Sequence, residues 1–418
     1  MDGELWDLLL LAGCGARGEA FEKTIDCKRV LQRAAALEVF PCCVHAIQKN
    51  KKPEDSFADL EAWRAEVRRL AMGQAVGREK LFGLLAELQK AGFTYAVIKG
   101  CAVAESYGEP FLRLSADTDI LIDPAQERDL YHWLERQGFV LERRESQEYH
   151  GVARHKDYGI LEIHIALSDY RIADYWEKKA GMEISRTMRR PPVWIEGRQG
   201  SFYSLDHTEQ MIFLTLHFVR HLFTMEGNLR MFLDNCTYAS YYREKIDWMF
   251  YWQTLERLGY GKLAETIFEA ADSYMGFQLA GQRGVIPGGQ GKIEDPTGTK
   301  GNEDSFSTEK DMEGFLEILC APQENMRIAD RFRDLYRSRE MNLGENVFGY
   351  RIKALWGVAL YTIKHIKKDG LLSVLKRAPG KAGRLLTGKA SRPGSIREAQ
   401  WMEHCREIYG KLGLMRDA

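Results

Sequence analysis

The sequence predicts an α+β protein: a small mixed sheet with helices, embedded in helical N- and C-terminal regions. Three successive stretches of pattern predict it. Residues 1 to about 92 carry apolar stripes at helical spacing. Residues 93 to about 205 switch to short, strand-like runs separated by turn residues. From 206 the helical spacing returns. At 418 residues the chain has room for two or three domains, and its 45% hydrophobic content supplies their cores.

In the first region, 1–92, Leu5, Leu8, Leu9 and Ala12 form one stripe, and Val30, Leu31, Ala34 and Leu37 another. A long helical pattern from Ser56 to Lys90 stops at Gly92. No catalytic pattern is visible here, so the expected role is packing or the shaping of a cleft. The core, 93–205, opens with a strand over Thr94–Ile98, a Lys99-Gly100 turn and a short helix. A strand carrying Asp117 and Asp119 into Ile120, Leu121 and Ile122 follows. Asp123-Pro124 supplies an N-cap and a proline at the first helical position, opening a helix to Gln137 that Gly138 stops. Phe139–Arg143 reads as a strand. Glu148–Arg154 and Ile160–Leu167 read as a hairpin about Asp157-Tyr158-Gly159, and Val193–Leu205 as a second hairpin turning near Gly197–Gly200.

A helical domain is expected over 206–280, its start marked by Asp206 and Glu209 at capping-box spacing. Residues 281–310 form a Gly-rich, charged stretch that reads as a flexible loop, and 311–418 as a helical, basic region.

Net charge is −1, which excludes polyanion binding by bulk electrostatics, and no specific nucleic-acid partner is expected. The eight cysteines include no C-x-x-C pair and read as reduced thiols of a cytoplasmic protein. Leu8–Ala12 is apolar, but Glu4 and Asp7 precede it, so the start does not read as a signal peptide. No apolar run reaches the length of a membrane span.

Asp117 and Asp119, two apart on a strand, share one face, while Thr118 takes the other. Like charges repel, so the fold gains nothing from the pair unless a cation neutralises it. Paired carboxylates completed by phosphate oxygens suit Mg²⁺, with two ions possible, and point to metal-assisted phosphoryl or nucleotidyl transfer. A solvated strand end is the bland alternative. Glu162, which shares a face with His164 on the I-L-E-I-H-I run, is the candidate third carboxylate, as metal ligand or as base toward an acceptor hydroxyl. The alternative for Glu162 is a surface position on an edge strand.

Lys99 offers a point charge to a triphosphate, and Gly100 lets backbone approach a phosphate, although such dipeptides are common in turns. Arg113 and Ser115 are further phosphate-facing candidates. His217 and His221 lie one helical turn apart, as do Arg230 and Asp234. The histidine spacing admits zinc, but the sequence H-F-V-R-H lacks the Glu of a zinc-protease motif; mutual bonding or a place on a nucleotide cleft is the preferred reading. The segment 348–392 is apolar with interspersed Lys and Arg. It fits equally an interfacial helix on an anionic membrane and a packed helix with a solvated basic face.

The pattern V-I-K-G-x-A, then R-L-S-x-D-x-D-I-L-I, then L-E-I-H resembles the uncharacterised nucleotidyltransferase family of the polymerase-β-like superfamily. The later run from Leu205 to Tyr260, with its paired histidines, Asp234 and the I-D-W helix start, is similar to that family too. The resemblance covers roughly residues 80–277 and implies a minimal nucleotidyltransferase core. In it Asp117, Asp119 and Glu162 would bind metal and carry catalysis. Lys99, Gly100, Arg113, Ser115, His217, His221, Arg230 and Asp234 would face the nucleotide. It departs from the superfamily in Lys-Gly where Gly-Ser is usual, and in Glu162 where Asp is usual.

The implied activity is Mg²⁺-dependent transfer of an NMP from an NTP, with ATP expected, to a hydroxyl-bearing acceptor, releasing pyrophosphate. The family is often encoded with bacterial surface-polysaccharide or peptide-modification genes, which leaves the acceptor open. A nucleotide-sensing or partner-binding protein that keeps the fold is one alternative; a membrane-surface scaffold, peripheral at the inner face, is another.

Overall fold

The computed structural model describes residues 3–23, 25–49, 60–115, 117–142, 150–167, 190–223, 227–279, 281–282, 309–320 and 396–412. Most of the expected Gly-rich loop and all of the basic segment 348–392 lie outside the described residues. The chain divides into two compact units: residues 1–219, 228–320 and 408–418 form one, and 220–227 with 321–407 the other. The first carries the sheet.

The fold is mixed α/β, with twelve α-helices and a seven-stranded sheet among the described residues. Helices α1 (Gly3–Arg17), α2 (Cys27–Ala36) and α3 (Phe40–Lys49) pack together at the N-terminus. Glycine makes the packing of α1 possible. A methyl group on Gly15 would lie 1.8 Å from the Cys42 carbonyl oxygen on α3. Alanine is the better helix former by about 1 kcal/mol, but a clash with backbone cannot be relieved by a rotamer change. Gly15→Ala is therefore expected to destabilise the fold, by roughly 1–3 kcal/mol or more, read as a lower unfolding midpoint in urea. An unchanged midpoint would mean that α1 and α3 can part freely.

Helix α4 (Leu60–Lys90) precedes the sheet, and the start expected at Ser56 lies outside the described residues. The strands are β1 (Tyr95–Val97), β2 (Asp117–Ile122), β3 (Val140–Glu142), β4 (His150–His155), β5 (Gly159–His164), β6 (Val193–Gly197) and β7 (Gly200–Ser204), in the order β3-β4-β5-β2-β1-β7-β6. Neighbours are antiparallel except for the β2–β5 and β1–β7 pairs, which are parallel. Helix α5 (Cys101–Ala104) follows β1, and α6 (Glu127–Arg136) follows β2. Asp123 accepts from the Ala125 amide as expected, but Pro124–Gln126 first forms a 3₁₀ turn and the α-helix begins at Glu127.

Strand alternation gives the sheet two different faces. On one, Val97, Ile120, Ile122, Leu161 and Ile163 join Leu84, Leu85 and Leu88 of α4 and Leu130 and Leu134 of α6 in the main core. On the other, Ala96, Ile98 and Leu121 meet Phe213 of α7 (His207–Phe223). Asp119 shares the parity of Leu121, so Asp117 and Asp119 lie on this second face.

The helical stretch after 206 resolves into α7 and three further helices: α8 (Leu229–Tyr241), α9 (Trp248–Leu258) and α10 (Gly261–Met275). The side chains of Asn228 and Asp247 cap α8 and α9, and Gly259, in the left-handed conformation, ends α9. Helices α11 (Glu309–Leu319) and α12 (Ile396–Lys411) complete the described structure.

At the start of α7, His207 is buried, with Nδ1 2.9 Å from the Tyr238 hydroxyl and its ring stacked on Tyr242. Burial, aided by the Lys245 charge, lowers its pKa to about 4. An unfolded histidine titrates near 6.5. Between these values the unfolded chain takes up a proton that the folded chain refuses, so stability present above about pH 6.5 is lost as pH falls toward 4. Thermal melts of wild type and His207→Gln are expected to converge as the pH is lowered from 7.5 to 5. A constant difference would show that His207 is not the group responsible.

Candidate active site

The site grows from the register of two parallel strands. Asp119 on β2 lies opposite Glu162 on β5, and Leu121 opposite His164. β5 in turn pairs with β4, setting His150 opposite His164. Asp117, Asp119, Glu162, His164 and His150 therefore share one face of three adjacent strands. Asp119 and His164 are buried, while Asp117 and Glu162 are half-buried.

Lys99 arrives from β1. The Ile98 amide donates to the Asp119 carbonyl at 3.1 Å, so the ladder runs one residue past β1 and sets Lys99 beside β2. Gln210 of α7 holds the same point, donating to the Ile98 carbonyl at 2.6 Å. Gly100 then turns the chain with a φ of +56°, a conformation that favours glycine. Ser115 donates to the Asp117 carbonyl at 3.0 Å, and Gln74 of α4 donates to the Ser115 carbonyl at 2.9 Å. In this structure Ser115 shapes the approach to β2.

Lys99 Nζ lies 2.6 Å from Asp119 Oδ1, and His164 Nε2 lies 2.9 Å from the same oxygen and 3.5 Å from Glu162 Oε2. Burial would raise the Asp119 carboxyl, but Lys99 and His164 outweigh it and hold that carboxyl well below the usual range. Burial would lower His164, but its bonds to Asp119 and Glu162 hold it above the ordinary histidine value. For Asp117 the balance is reversed: burial and the Asp119 charge raise it, and the Lys99 charge offsets them only in part. The ring of His150 stacks on His164 at 5.1 Å, and burial and the neighbouring imidazole push its pKa down.

This changes the electrostatic expectation. The repulsion between Asp117 and Asp119 is relieved in part by cations of the chain itself. Three carboxylates still face one lysine and one histidine, which leaves the cluster attractive to a further positive ion. Asp119 Oδ2 is buried and has no hydrogen-bond partner among the described residues, an arrangement that costs about 1–3 kcal/mol or more for a charged group. Asp119, Glu162 and His164 each bring a ligand atom within 4.8 Å of the others. The donor set and the unpartnered oxygen both fit a divalent cation.

His217 stacks on Phe213 at 5.7 Å, on the same side of the sheet as the carboxylates, and His221 follows one turn later on α7. Neither belongs to the metal-competent cluster.

Arg113, Arg230 and Asp234, expected either to face the nucleotide or, for the last two, to bond one another, are bonded together in this structure. Arg113 donates to both oxygens of Asp234, at 2.8 and 2.9 Å; Tyr107 donates to Oδ1 at 2.8 Å and Arg230 to Oδ2 at 3.0 Å. Glu38 takes the other side of Arg230 at 2.6 Å. Turning either guanidinium toward a phosphate would strip a buried carboxylate of its partners.

Sequence reasoning placed His164 on the site face without giving it a role, and it passed over His150. The alternation in H-G-V-A-R-H is the signal that could have found the latter.

The comparisons with known proteins bear on this geometry. No curated protein and no solved structure gave a match. A family model described as uncharacterised nucleotidyltransferase matches residues 23–276. That match takes in the whole sheet with both carboxylate strands, α2–α4 before it and α7–α10 after it. Helices α2–α4 thus lie within the family's pattern, and α1 lies before the matched residues. Spanning more than half of the sequence, the match shows that the chain belongs to the uncharacterised nucleotidyltransferase family.

Proposed function

We propose that the protein is an enzyme that transfers an NMP from an NTP, with ATP the expected donor, to a hydroxyl-bearing acceptor. The observation that carries this reading is the pairing of Asp119 with Glu162 across parallel strands, beside Asp117, with one buried oxygen of Asp119 left without a partner among the described residues. Asp117, Asp119 and Glu162 would hold the divalent ion, Mg²⁺ or one of like charge. When bound, the ion neutralises charge on the triphosphate as it develops at the α-phosphorus.

The remaining work falls to side chains. Lys99, released from Asp119, places its ammonium against the phosphates. Glu162, the more exposed of the opposed carboxylates, takes the proton of the acceptor hydroxyl. The acceptor oxygen forms a bond to the α-phosphorus, the bond from α-phosphorus to the bridging oxygen breaks, and the electron pair leaves with pyrophosphate. α7 covers the face next to the carboxylates, which supports a place for His217 at the nucleotide or the acceptor. The catalytic core would be residues 93–205, and a cytoplasmic location would supply the NTP.

Among the described residues no helix is long and apolar enough to cross a membrane. Contact of 348–392 with anionic lipid is a separate proposal. Screening the labelled NTPs against the purified protein, with and without Mg²⁺, tests the main reading. Metal-dependent binding of at least one NTP is expected, and indifference to all of them would sink it.

A further inference from the structure

We propose that His164 is a direct ligand of the bound metal, and that this nitrogen makes the site prefer Mn²⁺ over Mg²⁺. The inference rests on the carboxylate metal site proposed above and goes beyond it in naming a fourth donor and the ion it selects.

Three observations carry it. First, the separations fit one ion. His164 Nε2 lies 2.9 Å from Asp119 Oδ1 and 3.5 Å from Glu162 Oε2. Adjacent ligands on an octahedral ion with bonds of about 2.1 Å stand about 3 Å apart. Second, the backbone fixes the donor. His164 is two residues beyond Glu162 on β5, on the same face, and paired with β2 on one side and β4 on the other. Third, the cluster contains an independent sign of cation binding, the buried Asp119 Oδ2 that has no hydrogen-bond partner among the described residues.

Without metal, the Nε2 proton bridges the two carboxylates. With metal, the same nitrogen would face the ion. Mg²⁺ favours an all-oxygen shell and gives up water reluctantly. Carboxylates suit both ions, while an imidazole turns the set toward a first-row transition ion, and of these Mn²⁺ shares the octahedral, oxygen-rich coordination of Mg²⁺. The ring of His150 stacks on that of His164.

The test uses the full-length protein and Mn²⁺ alone. Continuous-wave EPR counts bound Mn²⁺, and pulsed EPR reads hyperfine coupling to a directly bonded nitrogen. Protein grown on isotope-labelled histidine identifies that nitrogen as imidazole. Expected are a coupled imidazole in the wild type, its loss in His164→Gln, and about a tenfold weaker Mn²⁺ affinity with little change for Mg²⁺.

Bound Mn²⁺ without nitrogen coupling, or coupling that survives in folded His164→Gln, would overturn the proposal while leaving the carboxylate site standing. Mn²⁺ binding that is absent, or indifferent to Asp119→Asn, would overturn the carboxylate site as well. If His164→Gln fails to fold, His150→Gln decides. Coupling retained there supports His164, and coupling lost assigns the nitrogen to His150.

Discussion

Asp119→Asn is expected to lower metal-dependent turnover by roughly 100- to 1000-fold, about 3–4 kcal/mol of transition-state stabilisation. The amide keeps the shape of the side chain and removes the charge that would hold the ion. Rates at saturating NTP and Mg²⁺ or Mn²⁺ measure the effect. A variant within a few-fold of wild type would exclude Asp119 from the metal site. The structure adds an effect on stability that the sequence pointed away from. Two repelling carboxylates suggest that removing one is neutral or helpful. In the fold, Asp119 is the counter-charge for Lys99 and buried His164. The metal-free variant is therefore expected to lose about 1.5–3 kcal/mol, the range for hydrogen bonds to charged groups. That loss is separable from the catalytic one, because unfolding is read without metal or NTP and turnover with both saturating.

The second large effect is structural. Asp234→Ala is expected to cost about 3–5 kcal/mol, because it strands the buried guanidinium of Arg113, half the contacts of Arg230 and the hydroxyl of Tyr107. Urea unfolding measures it. Replacing both partners, as Asp234→Leu with Arg113→Met, is expected to recover part of the loss, since apolar side chains of similar volume leave no uncompensated charge. A single variant as stable as wild type would show that the cluster is unimportant to the fold. A folded Asp234→Ala protein that binds NTP normally would confirm the assignment of Arg113 and Arg230 to structure.

These two residues show where the sequence was legible. Alternation in D-T-D-I-L-I and I-L-E-I-H put Asp117 and Asp119 on one face of their strand, and Glu162 and His164 on one face of theirs, because the period of a strand is local. That β5 lies parallel to β2, with Glu162 opposite Asp119, is a non-local fact that came only from the structure. The turn at Gly100 and the caps at Asp123 and Asp206 were local and readable, or nearly so. The partner of a charged side chain was not. Arg113 sits two residues before Ser115 in a phosphate-like context, yet its partner is 121 residues away on α8. Lys99 reads as a phosphate ligand, and in the folded chain it rests on Asp119. Charge type is visible in sequence; which opposite charge it meets depends on the packing of distant elements.

NMP transfer at these carboxylates fixes where each phosphorus of the NTP must go. The full-length protein is incubated with divalent metal and a small-molecule extract as the pool of acceptors, using the NTP that binds. One sample carries phosphorus label at the α position and a parallel one at the γ position. The account predicts that α-label appears in a new product and γ-label in pyrophosphate, both only with metal and neither with Asp119→Asn. Label from the γ position in the product, or metal-dependent NTP binding with no release from either position, would contradict it.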